Sequence, residues 1–477
     1  MPVPPALRHR LAALDQLHVL AFHDQIDAAS QRKLVTQLES LDLERVPALV
    51  ERYVKSKPVE EVGGVVEPAT YYPRSTKKSR PWDRATYRAA GEKLLREGKV
   101  AAFTVAGGQG SRLGYEGPKG CYPGGAVTGR PLFGIFADGL VAASRRHGKP
   151  IPWYIMTSPL NHDATIESFE ANGFFGLARE NVMFFPQGTL PSFDIATGKL
   201  LLAAKDEVAT NPDGHGGSLR ALFASGAIDD MRIRGVTQIS YFQVDNPLVR
   251  VVDPTFLGLH TLAPDSSAEM SSKMVPKARW DEAVGVFCSV GGKVRVIEYS
   301  DLAKIPGELA KQTNADGSLR FNAGSIAVHA ISVEFVSRLN TDTSFDLPYH
   351  RAEKKVAHVD VASGRAVQPE KANAVKLERF VFDALALARK SIVVEADRIE
   401  EFAPIKNATG VDSVESSRRI QTERAARWME GIGFAVPKKA DGTPDCTLEI
   451  SPLTALEADD LRGTKLPKIE RGANVAM

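Results

Sequence analysis

The sequence predicts an α/β fold built on a mixed, mostly parallel sheet with helices on both faces. The main observation is that short, apolar, β-rich runs alternate with helical patterns between residues 100 and 244, an order typical of parallel sheets. A second observation is the length of 477 residues, which exceeds what one hydrophobic core usually serves and favours two or three packed units. The composition, 43% hydrophobic and 25% charged, is that of an ordinary globular protein.

The first part of the chain is predicted to be helical. Leucine and valine recur at three- and four-residue spacing from residue 6 to 56 and are interleaved with charged residues, the pattern of amphipathic helices. Asp83 is a suitable N-cap for a further helix that runs to about Glu97, and Gly98 is placed to end it.

The central part is predicted to alternate between strands and helices. Strands are predicted at Val100–Val105, Ile151–Met156, Asn181–Phe185 and Thr237–Val244, and helices at Leu132–His147, Asp163–Asn172 and Leu219–Arg232. Ligands of such sheets bind beyond the carboxyl ends of the strands. The loop after Val105 and the carboxylate of Asp245 are therefore expected to face one crevice.

The pattern changes after residue 268. The predicted elements are short strands at 284–290, 293–299 and 325–329, a helix at Lys376–Lys390, a strand at Ser391–Glu395 and a helix at Ser416–Glu430. The three short strands predict a small inserted sheet beside the crevice. We therefore predict a helical region over 1–95, a central domain over 96–400 and a small lobe over 401–477.

Charge and composition exclude several classes of partner. The net charge is only +2 and the basic residues are dispersed, so neither nucleic acid nor a membrane is an expected partner. Cys121, Cys288 and Cys446 lie far apart without metal-ligand spacing, which indicates free thiols in a reducing compartment. The N-terminus lacks the apolar core of a signal peptide, and no stretch is long enough to cross a membrane. A cytoplasmic location is expected.

The strongest functional signal is the segment 106–119, called the glycine loop below. Its closely spaced glycines are Gly107, Gly108, Gly110 and Gly114, and its only cations are Arg112 and Lys119. Glycines let backbone amides approach a ligand closely, and two cations beside such a turn suit a polyanion, most often phosphate. The alternative is a strand-to-helix turn that needs glycine only for its backbone.

Two well-known phosphate-binding loops do not match the glycine loop. A dinucleotide fingerprint requires a third glycine where Leu113 stands, and the acidic residue expected about 20 positions downstream is missing. A P-loop closes its glycine run with lysine, whereas Lys119 follows Pro118 outside the run. The remaining pattern, G-G-x-G-[ST]-R-[LM]-G-x-x-x-P-K, is the signature of nucleotidyltransferases that make nucleotide sugars.

Further motifs in the same order extend this match over most of the chain. They are Pro118-Lys-Gly120, Pro152-Trp-Tyr-Ile-Met-Thr-Ser-Pro159, Gln187-Gly-Thr-Leu-Pro191, Val244-Asp-Asn-Pro-Leu-Val249, Val296-Ile-Glu-Tyr-Ser300, Phe321-Asn-Ala-Gly324, Phe380-Val-Phe-Asp383 and Pro404-Ile-Lys-Asn407. The chain thereby resembles the eukaryotic-type UDP-N-acetylglucosamine (UDP-N-acetylhexosamine) pyrophosphorylases, within the wider group of UTP–sugar-1-phosphate uridylyltransferases. The resemblance implies a Rossmann-like nucleotidyltransferase core with a β-rich sugar-binding insert, a helical N-terminal region and a small C-terminal lobe.

The resemblance also implies a reaction. A sugar 1-phosphate, with N-acetylglucosamine 1-phosphate as first choice, attacks the α-phosphorus of UTP and gives a UDP-sugar and pyrophosphate. The nucleophile is already an anion, so no Ser or His nucleophile is required. Catalysis must consist of aligning two polyanions and stabilising the charge on the transferred phosphorus and the leaving group. Mg²⁺ is the implied cofactor.

Site residues are implied by their positions in the family motifs. The cations for the UTP phosphates are Arg112, Lys119 and Lys406, and Lys376 is a similar substrate contact. The nucleotide contacts are Gly107, Gly108, Gly214 and Gln187, which would read the uracil edge; Asp245 would contact substrate and Mg²⁺, and Glu298 and Asn322 would bind the sugar. The plainer alternatives are a solvated lysine at 406, a turn residue at 245 and a solvent-facing residue at 298.

One departure from the family pattern bears on the choice of sugar. Within Pro212-Asp-Gly-His-Gly-Gly217, the hexosamine enzymes carry Asn where this chain has His215, whereas glucose-type uridylyltransferases carry a similar Gly-His-Gly. We therefore expect His215 to contact the nucleotide or the sugar. A UDP-glucose or broad-specificity UDP-sugar pyrophosphorylase is the alternative, and a non-catalytic nucleotide-sugar-binding regulator is a more distant one. Without the resemblance, only a phosphate-binding α/β enzyme such as a kinase is indicated. The sequence does not indicate an oligomeric state.

Overall fold

The computed structural model describes residues 2–57, 63–75, 80–342 and 347–477. The chain forms two compact units, each assembled from separate segments. The first unit comprises residues 1–61, 187–218 and 346–381, and the second comprises residues 62–186, 219–345 and 382–477. These units group residues by contact, so the division into 1–95, 96–400 and 401–477 stays a prediction.

The bounds of the regular elements in the described residues are as follows. The helices are α1 (Pro5–Ala13), α2 (Ala28–Ser40), α3 (Val46–Leu49), α4 (Arg84–Arg96), α5 (Leu132–His147), α6 (His162–Ala171), α7 (Ser218–Ala224), α8 (Ala227–Ile233), α9 (Pro254–Leu262), α10 (Tyr299–Leu302), α11 (Val333–Thr341), α12 (Arg398–Glu401) and α13 (Val414–Gly431). The strands are β1 (Val66–Pro68), β2 (Val100–Val105), β3 (Trp153–Thr157), β4 (Val182–Pro186), β5 (Thr189–Pro191), β6 (Phe193–Asp194), β7 (Leu202–Ala204), β8 (Glu207–Val208), β9 (Thr210–Pro212), β10 (Gln238–Gln243), β11 (Met270–Pro276), β12 (Val286–Val290), β13 (Lys293–Ile297), β14 (Ala323–Ser332), β15 (His350–Lys354), β16 (His358–Val359), β17 (Ala366–Val367), β18 (Ala374–Glu378), β19 (Val393–Glu395), β20 (Thr447–Glu449) and β21 (Asn474–Ala476).

The second unit contains the predicted α/β sheet. Its strands follow the order β1-β12-β14-β10-β2-β3-β4, with β13 beside β12, β11 beside β14, and β19 beside β11. The four strands β10, β2, β3 and β4 are parallel. Residues 100–104 of β2 and all of β3 are buried, as expected for parallel strands covered on both faces. The mixed sheet with parallel core strands is confirmed.

The predicted strands at 284–290, 293–299 and 325–329 exist, but they do not form a separate inserted sheet. They are β12, β13 and β14, and they extend the main sheet on its antiparallel side. The link is β14, whose residue His329 pairs with Tyr241 of β10. The ten-residue length of β14 lets it pair with β10, β11 and β12 at once, a long-range arrangement that local runs of apolar residues do not reveal.

The helix predicted at Leu219–Arg232 is broken in the structure. It is replaced by α7 and α8, and Gly226 between them adopts a φ of 79°, a left-handed conformation that glycine tolerates and that ends a helix. The helices predicted at 83–97, 132–147, 163–172 and 416–430 correspond to α4, α5, α6 and α13, and the N-cap of α4, Asp83, accepts a hydrogen bond from the amide of Ala85. The helices α9 to α12 of this unit were not predicted. The helix α13 and strands β20 and β21 share a small apolar cluster near the C-terminus.

The first unit packs α1, α2 and α3 against short strands that come much later in the chain. Its largest sheet has the order β15-β18-β6, and one apolar cluster joins side chains such as Leu34, Leu38, Phe193 and Leu377. The side chain of Gln37 hydrogen-bonds with both the carbonyl and the amide of Val208. The predicted helical character of the N-terminal region is confirmed.

The predicted helix at Lys376–Lys390 is wrong. Residues 374–378 form β18, which pairs with β15 and β6, and residues 381–387 form a 3₁₀ helix. Val375 and Leu377 are fully buried while Lys376 between them is half-buried, the two-residue period of a strand. The apolar spacing at 381–388 imitates a helical pattern, and strand partners far away in the sequence decide the conformation of 374–378.

Candidate active site

The glycine loop follows β2 and is closed by its own backbone. The amide of Gly110 donates to the carbonyl of Gly117 at 3.0 Å, and the amide of Lys119 donates to the carbonyl of Gly108 at 3.1 Å. The side-chain amide of Asn161 also donates to the carbonyl of Gly108, at 3.2 Å. The two limbs of the loop are therefore fixed side by side by hydrogen bonds within the protein.

Two glycines of this loop have different reasons to be glycine. A Cβ at Gly110 would lie 2.7 Å from Cδ1 of Tyr115, so the fold itself excludes a side chain there. A Cβ at Gly108 would meet no atom within 4 Å, and Gly108 does not adopt a left-handed φ. Because the fold does not require glycine at 108, its bare and exposed backbone suits the close approach of a ligand.

Lys119 lies among several charges at the carboxyl edge of the parallel strands. Its Nζ is 3.8 Å from Oδ2 of Asp245, which follows β10, and the side chains are only 16% and 14% exposed. Burial lowers the pKa of Lys119, Asp245 opposes this effect, and the positive charges of Lys406 and Arg112 lower the pKa further. The structure thus brings Arg112, Lys406 and Asp245 within electrostatic range of Lys119.

The segment that carries Lys406 is held against the end of β10. The amide of Ile405 donates to the carbonyl of Asp245 at 2.8 Å, and the amide of Lys406 donates to the carbonyl of Asp412 at 2.7 Å. Nζ of Lys406 is 3.7 Å from Oδ2 of Asp412, and its side chain is 37% exposed. Burial raises the pKa of Asp412, Lys406 opposes this rise, and Asp245 adds to it.

The donor set near Lys119 fits a Mg²⁺ ion that is shared with phosphates. Mg²⁺ is usually held by one or two carboxylates together with water and substrate phosphates. The charge of Asp245 contributes to the raised pKa of Asp412, so the two carboxylates lie near each other. Within the described ranges, no group of three or more His, Cys, Asp or Glu side chains is arranged to hold a metal. Two carboxylates beside a polyanion site match the shared arrangement rather than a cage made only of protein ligands.

Glu298 and Asn322 lie at one end of β12, on opposite sides of it. The register pairs Val286 with both Ile297 and Gly324, which places the two residues next to the same strand end. Both side chains are half-buried. Because β14 runs antiparallel to β10, the amino end of β14 that follows Asn322 lies at the same edge of the sheet as the carboxyl end of β10.

The remaining predicted residues, Gln187, Gly214, His215 and Lys376, belong to the first unit. Gln187 is 7% exposed and precedes β5. Gly214 has a φ of 82°, and a Cβ there would lie 2.4 Å from the carbonyl oxygen of Arg379, so the local fold requires glycine. Lys376 lies on β18, with its side chain on the face opposite that of its two buried neighbours.

His215 is held neutral and in one tautomer. Its Nδ1 accepts a hydrogen bond from the amide of Val381 at 3.1 Å, so in the neutral imidazole Nε2 carries the proton and is a donor. Burial lowers the pKa of His215 to about 4, and the nearby His350 contributes to the lowering. Phe380 stacks with both imidazoles, with ring centroids 5.1 Å from His215 and 4.0 Å from His350.

Three residues that lie near the predicted site residues were not themselves predicted from the sequence. Asn161 positions the glycine loop, Asp412 adds a carboxylate near Lys406, and His350 belongs to the aromatic stack with His215. Asn161 follows the Pro152–Pro159 motif by two residues, which is the one signal that could have drawn attention to it. Asp412 and His350 reach their places through tertiary structure, and their neighbours in sequence carry no comparable signal.

A glycine loop, clustered cations and an aspartate at the carboxyl edge of a parallel sheet are typical of α/β proteins that bind phosphate groups. The sequence pattern of the family described as UTP–glucose-1-phosphate uridylyltransferase matches residues 49–428. This chain belongs to that family.

Individual relatives cover nearly the whole chain. A UDP-N-acetylglucosamine diphosphorylase 2 of Arabidopsis thaliana is 34% identical over 96% of this chain and 92% of its own length. A UDP-N-acetylglucosamine pyrophosphorylase of Saccharomyces cerevisiae is 33% identical over 87% of this chain and 89% of its own. The crystal structure of the uridine diphosphate N-acetylglucosamine pyrophosphorylase of Trypanosoma brucei in complex with an inhibitor has a TM-score of 0.81 at 24% identity, covering 100% of this chain and 98% of that one; it supports the fold.

Proposed function

We propose that this protein is a UTP:sugar-1-phosphate uridylyltransferase that transfers UMP from UTP to a sugar 1-phosphate and releases pyrophosphate. The observation that carries the proposal is the cluster around Lys119, where Arg112 and Lys406 add positive charge beside Asp245 at the end of the glycine loop. Membership of the uridylyltransferase family and the names of the full-length relatives support the same activity.

The proposed mechanism needs no side-chain nucleophile. The sugar phosphate oxygen attacks the α-phosphorus of UTP, the new P–O bond forms, and the bond to the β-phosphate oxygen breaks with pyrophosphate as the leaving group. Lys119 and Lys406 stabilise the negative charge that moves between the phosphates during this exchange. Arg112, which is exposed, adds positive charge to the same phosphate site. Alignment of the two anions and this charge stabilisation account for the rate.

Asp245 and Asp412 would hold a Mg²⁺ ion together with the substrate phosphates. When bound, the ion supplies Lewis-acid stabilisation of the phosphate oxygens. The hydrogen bond from the Ile405 amide to the carbonyl of Asp245 keeps the metal ligand and the Lys406 segment at a fixed spacing. These residues therefore hold the Mg²⁺ ion and the Lys406 ammonium in position beside the phosphates. The proposed reaction requires no proton transfer from them.

N-acetylglucosamine 1-phosphate is the proposed first-choice sugar, because both full-length relatives named above carry that sugar in their names. Glu298 and Asn322 are the proposed sugar contacts. His215 favours a second candidate, a UDP-glucose or broad-specificity UDP-sugar pyrophosphorylase, since its Nε2–H donor replaces the amide expected of a hexosamine enzyme.

The remaining roles rest on the family resemblance. Gln187 would read the uracil edge, Gly107, Gly108 and Gly214 would let backbone groups approach the nucleotide, and Lys376 would contact substrate. The proposed location is the cytoplasm. The three cysteines are free thiols, and none of the helices in the described ranges combines the length and apolarity needed to cross a bilayer.

The deciding experiment measures pyrophosphate release from UTP with a panel of sugar 1-phosphates, with and without Mg²⁺. We expect turnover with N-acetylglucosamine 1-phosphate that is lost when EDTA removes the metal and restored when Mg²⁺ is added back. A higher kcat/KM for glucose 1-phosphate would favour the second candidate. Nucleotide-sugar binding without any turnover would support the non-catalytic regulator, and full activity in EDTA would contradict the role of Asp245 as a metal ligand.

A further inference from the structure

A second charged cavity lies in the same unit as the glycine loop but has different walls. It encloses about 110 Å³ and is lined by the segment 247–255, by residues of α5 and α13, and by the segment 449–457. Its walls include neither a residue of the glycine loop nor Asp245 or Lys406. It is therefore distinct from the candidate active site.

Most of the arginines that line this cavity are paired with carboxylates. The pairs are Arg88 with Glu457 at 2.6 Å, Arg130 with Asp138 at 2.5 Å, Arg146 with Glu457 at 3.0 Å and Arg250 with Glu401 at 3.7 Å. Arg424 on α13 differs from them. Its Nε is buried and has no hydrogen-bond partner, and no carboxylate of the residues that the structure describes forms an ion pair with its guanidinium.

The surroundings of Arg424 hold its guanidinium in place without neutralising it. Its Cζ lies over the ring of Trp428, 4.8 Å from the centroid, which covers one face and leaves the N–H groups at the edge. Burial lowers the pKa of Arg424 to about 10; Glu400 and Glu401 oppose this effect and Arg250 reinforces it. An unpaired guanidinium in such surroundings is costly, so a ligand that accepts its hydrogen bonds would stabilise the folded state.

The shape and polarity of the cavity limit the class of ligand. A guanidinium presents N–H groups in a planar fork that matches two oxygens of a phosphate. A cavity needs about 10–15 Å³ of accessible volume to hold one water molecule. The 110 Å³ of this cavity therefore accommodates a small polyatomic anion. Val249, Val251 and Leu456 in its walls lower the local polarity and strengthen a charge-assisted hydrogen bond.

We propose that this cavity is a second oxyanion site, in which Arg424 binds a phosphate group and Arg250 adds positive charge. The phosphate is either the free ion or the phosphate group of a small ester. The site is separate from the proposed reaction, and its existence does not depend on the identity of the sugar substrate.

The test uses the full-length chain with Lys119→Ala, so that phosphate binding at the glycine loop is weakened and the second site is measured alone. Inorganic phosphate binding is followed by ³¹P NMR line broadening and by the rise in melting temperature. We expect the dissociation constant to increase at least tenfold when Arg424→Met is added. Arg419→Met is the matched control, since Arg419 lies on the same helix, is 61% exposed and pairs with Glu423; it should bind phosphate like the parent.

Stability without phosphate separates binding from a structural role. Methionine keeps apolar contact with Trp428 and removes the unpaired charge, so Arg424→Met should melt at or above the temperature of the parent chain. Phosphate should raise the melting temperature of the parent and the Arg419→Met chain but not that of the Arg424→Met chain. If Arg424→Met does not fold, Arg424→Lys keeps the charge without the planar fork and should still weaken phosphate binding.

Selenate soaked into crystals of the full chain locates the site directly by anomalous scattering. A peak beside Arg424 supports the proposal, whereas a peak only beside Lys119 and a water-filled second cavity overturn it. Unchanged phosphate binding in the Arg424→Met chain also overturns it. Ethyl phosphate is the second probe: binding of both probes shows that the site accepts a phosphate ester, and binding of inorganic phosphate alone restricts it to the free ion.

Discussion

Two lysines in the second unit stand beside aspartates, but their surroundings differ. Nζ of Lys273 is 2.5 Å from both Oδ2 of Asp253 and Oε2 of Glu401, and its side chain is 2% exposed. Nζ of Lys119 is 3.8 Å from Asp245, and its side chain is 16% exposed. The charge of Lys273 is balanced by two carboxylates within the core, whereas Lys119 has one distant carboxylate and additional cations nearby.

The pKa shifts in the two clusters have different meanings. Burial alone would raise the pKa of Asp253, but Lys273 and Arg250 hold it well below its usual value. The charges of this cluster are therefore balanced by residues of the protein itself. The pKa of Lys119 is lowered chiefly by burial and also by Lys406 and Arg112, while Asp245 opposes the lowering. The positive charge of this cluster is therefore not balanced by the protein, and an anionic ligand would balance it. Gly110 and Gly108 show the same difference between a position fixed by the fold and one open to a ligand. The side chain of Tyr115 excludes a Cβ at Gly110, whereas a Cβ at Gly108 would meet no atom within 4 Å.

The largest expected effect is on folding. Lys273→Met should lower the free energy of unfolding by about 3–5 kcal/mol, because it leaves Asp253 and Glu401 buried without their shared cation. Denaturant titration followed by circular dichroism measures the change. Lys304→Met is the control, since that lysine is 75% exposed and its loss should cost no more than about 0.5 kcal/mol. Equal midpoints for Lys273→Met and the parent would remove the distinction between the two lysines.

Lys119→Ala should affect turnover instead of folding. Loss of one charge-stabilising donor should lower kcat by roughly two to three orders of magnitude, while the unfolding midpoint stays near that of the parent because Lys119 has no short ion pair. Pyrophosphate release and the same denaturant titration measure both quantities. Lys93→Ala, at a position that is 71% exposed, is the control. Near-normal turnover would place Lys119 outside the catalytic site.

Alanine substitutions at Gly110 and Gly108 should likewise have different effects, the first on stability and the second on kinetics. Gly110→Ala should cost about 1–3 kcal/mol of stability, since the new Cβ overlaps Tyr115. Gly108→Ala should change stability by no more than about 0.5 kcal/mol but lower kcat/KM for UTP about tenfold, the effect of one misplaced methyl group in a binding site. Unchanged kinetics in Gly108→Ala would show that the open space beside this glycine is not occupied by UTP.

The smallest expected effect concerns the choice of sugar. His215→Asn should change the ratio of kcat/KM for N-acetylglucosamine 1-phosphate to that for glucose 1-phosphate by about tenfold. Because the pKa of His215 is lowered to about 4, its imidazole stays neutral from pH 6 to 8 and the ratio in the parent chain should not vary there. A ratio that titrates near pH 6.5 would contradict the neutral tautomer, and an unchanged ratio in His215→Asn would exclude a role in sugar selection.

The features that the sequence predicted best depend on local pattern or on the general rule for parallel strands. The strand at Val100–Val105 and its loop are recognisable because an apolar run ends in glycines, and the proximity of Lys119 and Asp245 follows from the shared carboxyl edge of parallel strands. The strand at 374–378 depends on partners near residues 194 and 352, which no local window contains. The segment that carries Lys406 and Asp412 is likewise placed by a distant partner, because the amide of Ile405 donates to the carbonyl of Asp245.

The assembly of the first unit from three distant segments has a consequence during synthesis. The apolar faces of α1, α2 and α3 are buried partly by Val375 and Leu377, which are made more than 300 residues later than Val54. At about 5–20 residues per second, the ribosome separates these segments by on the order of tens of seconds. During this interval the N-terminal helices lack part of their core and are open to chaperones and proteases. Limited proteolysis of stalled nascent chains should therefore find α1 to α3 protected only after β18 has emerged.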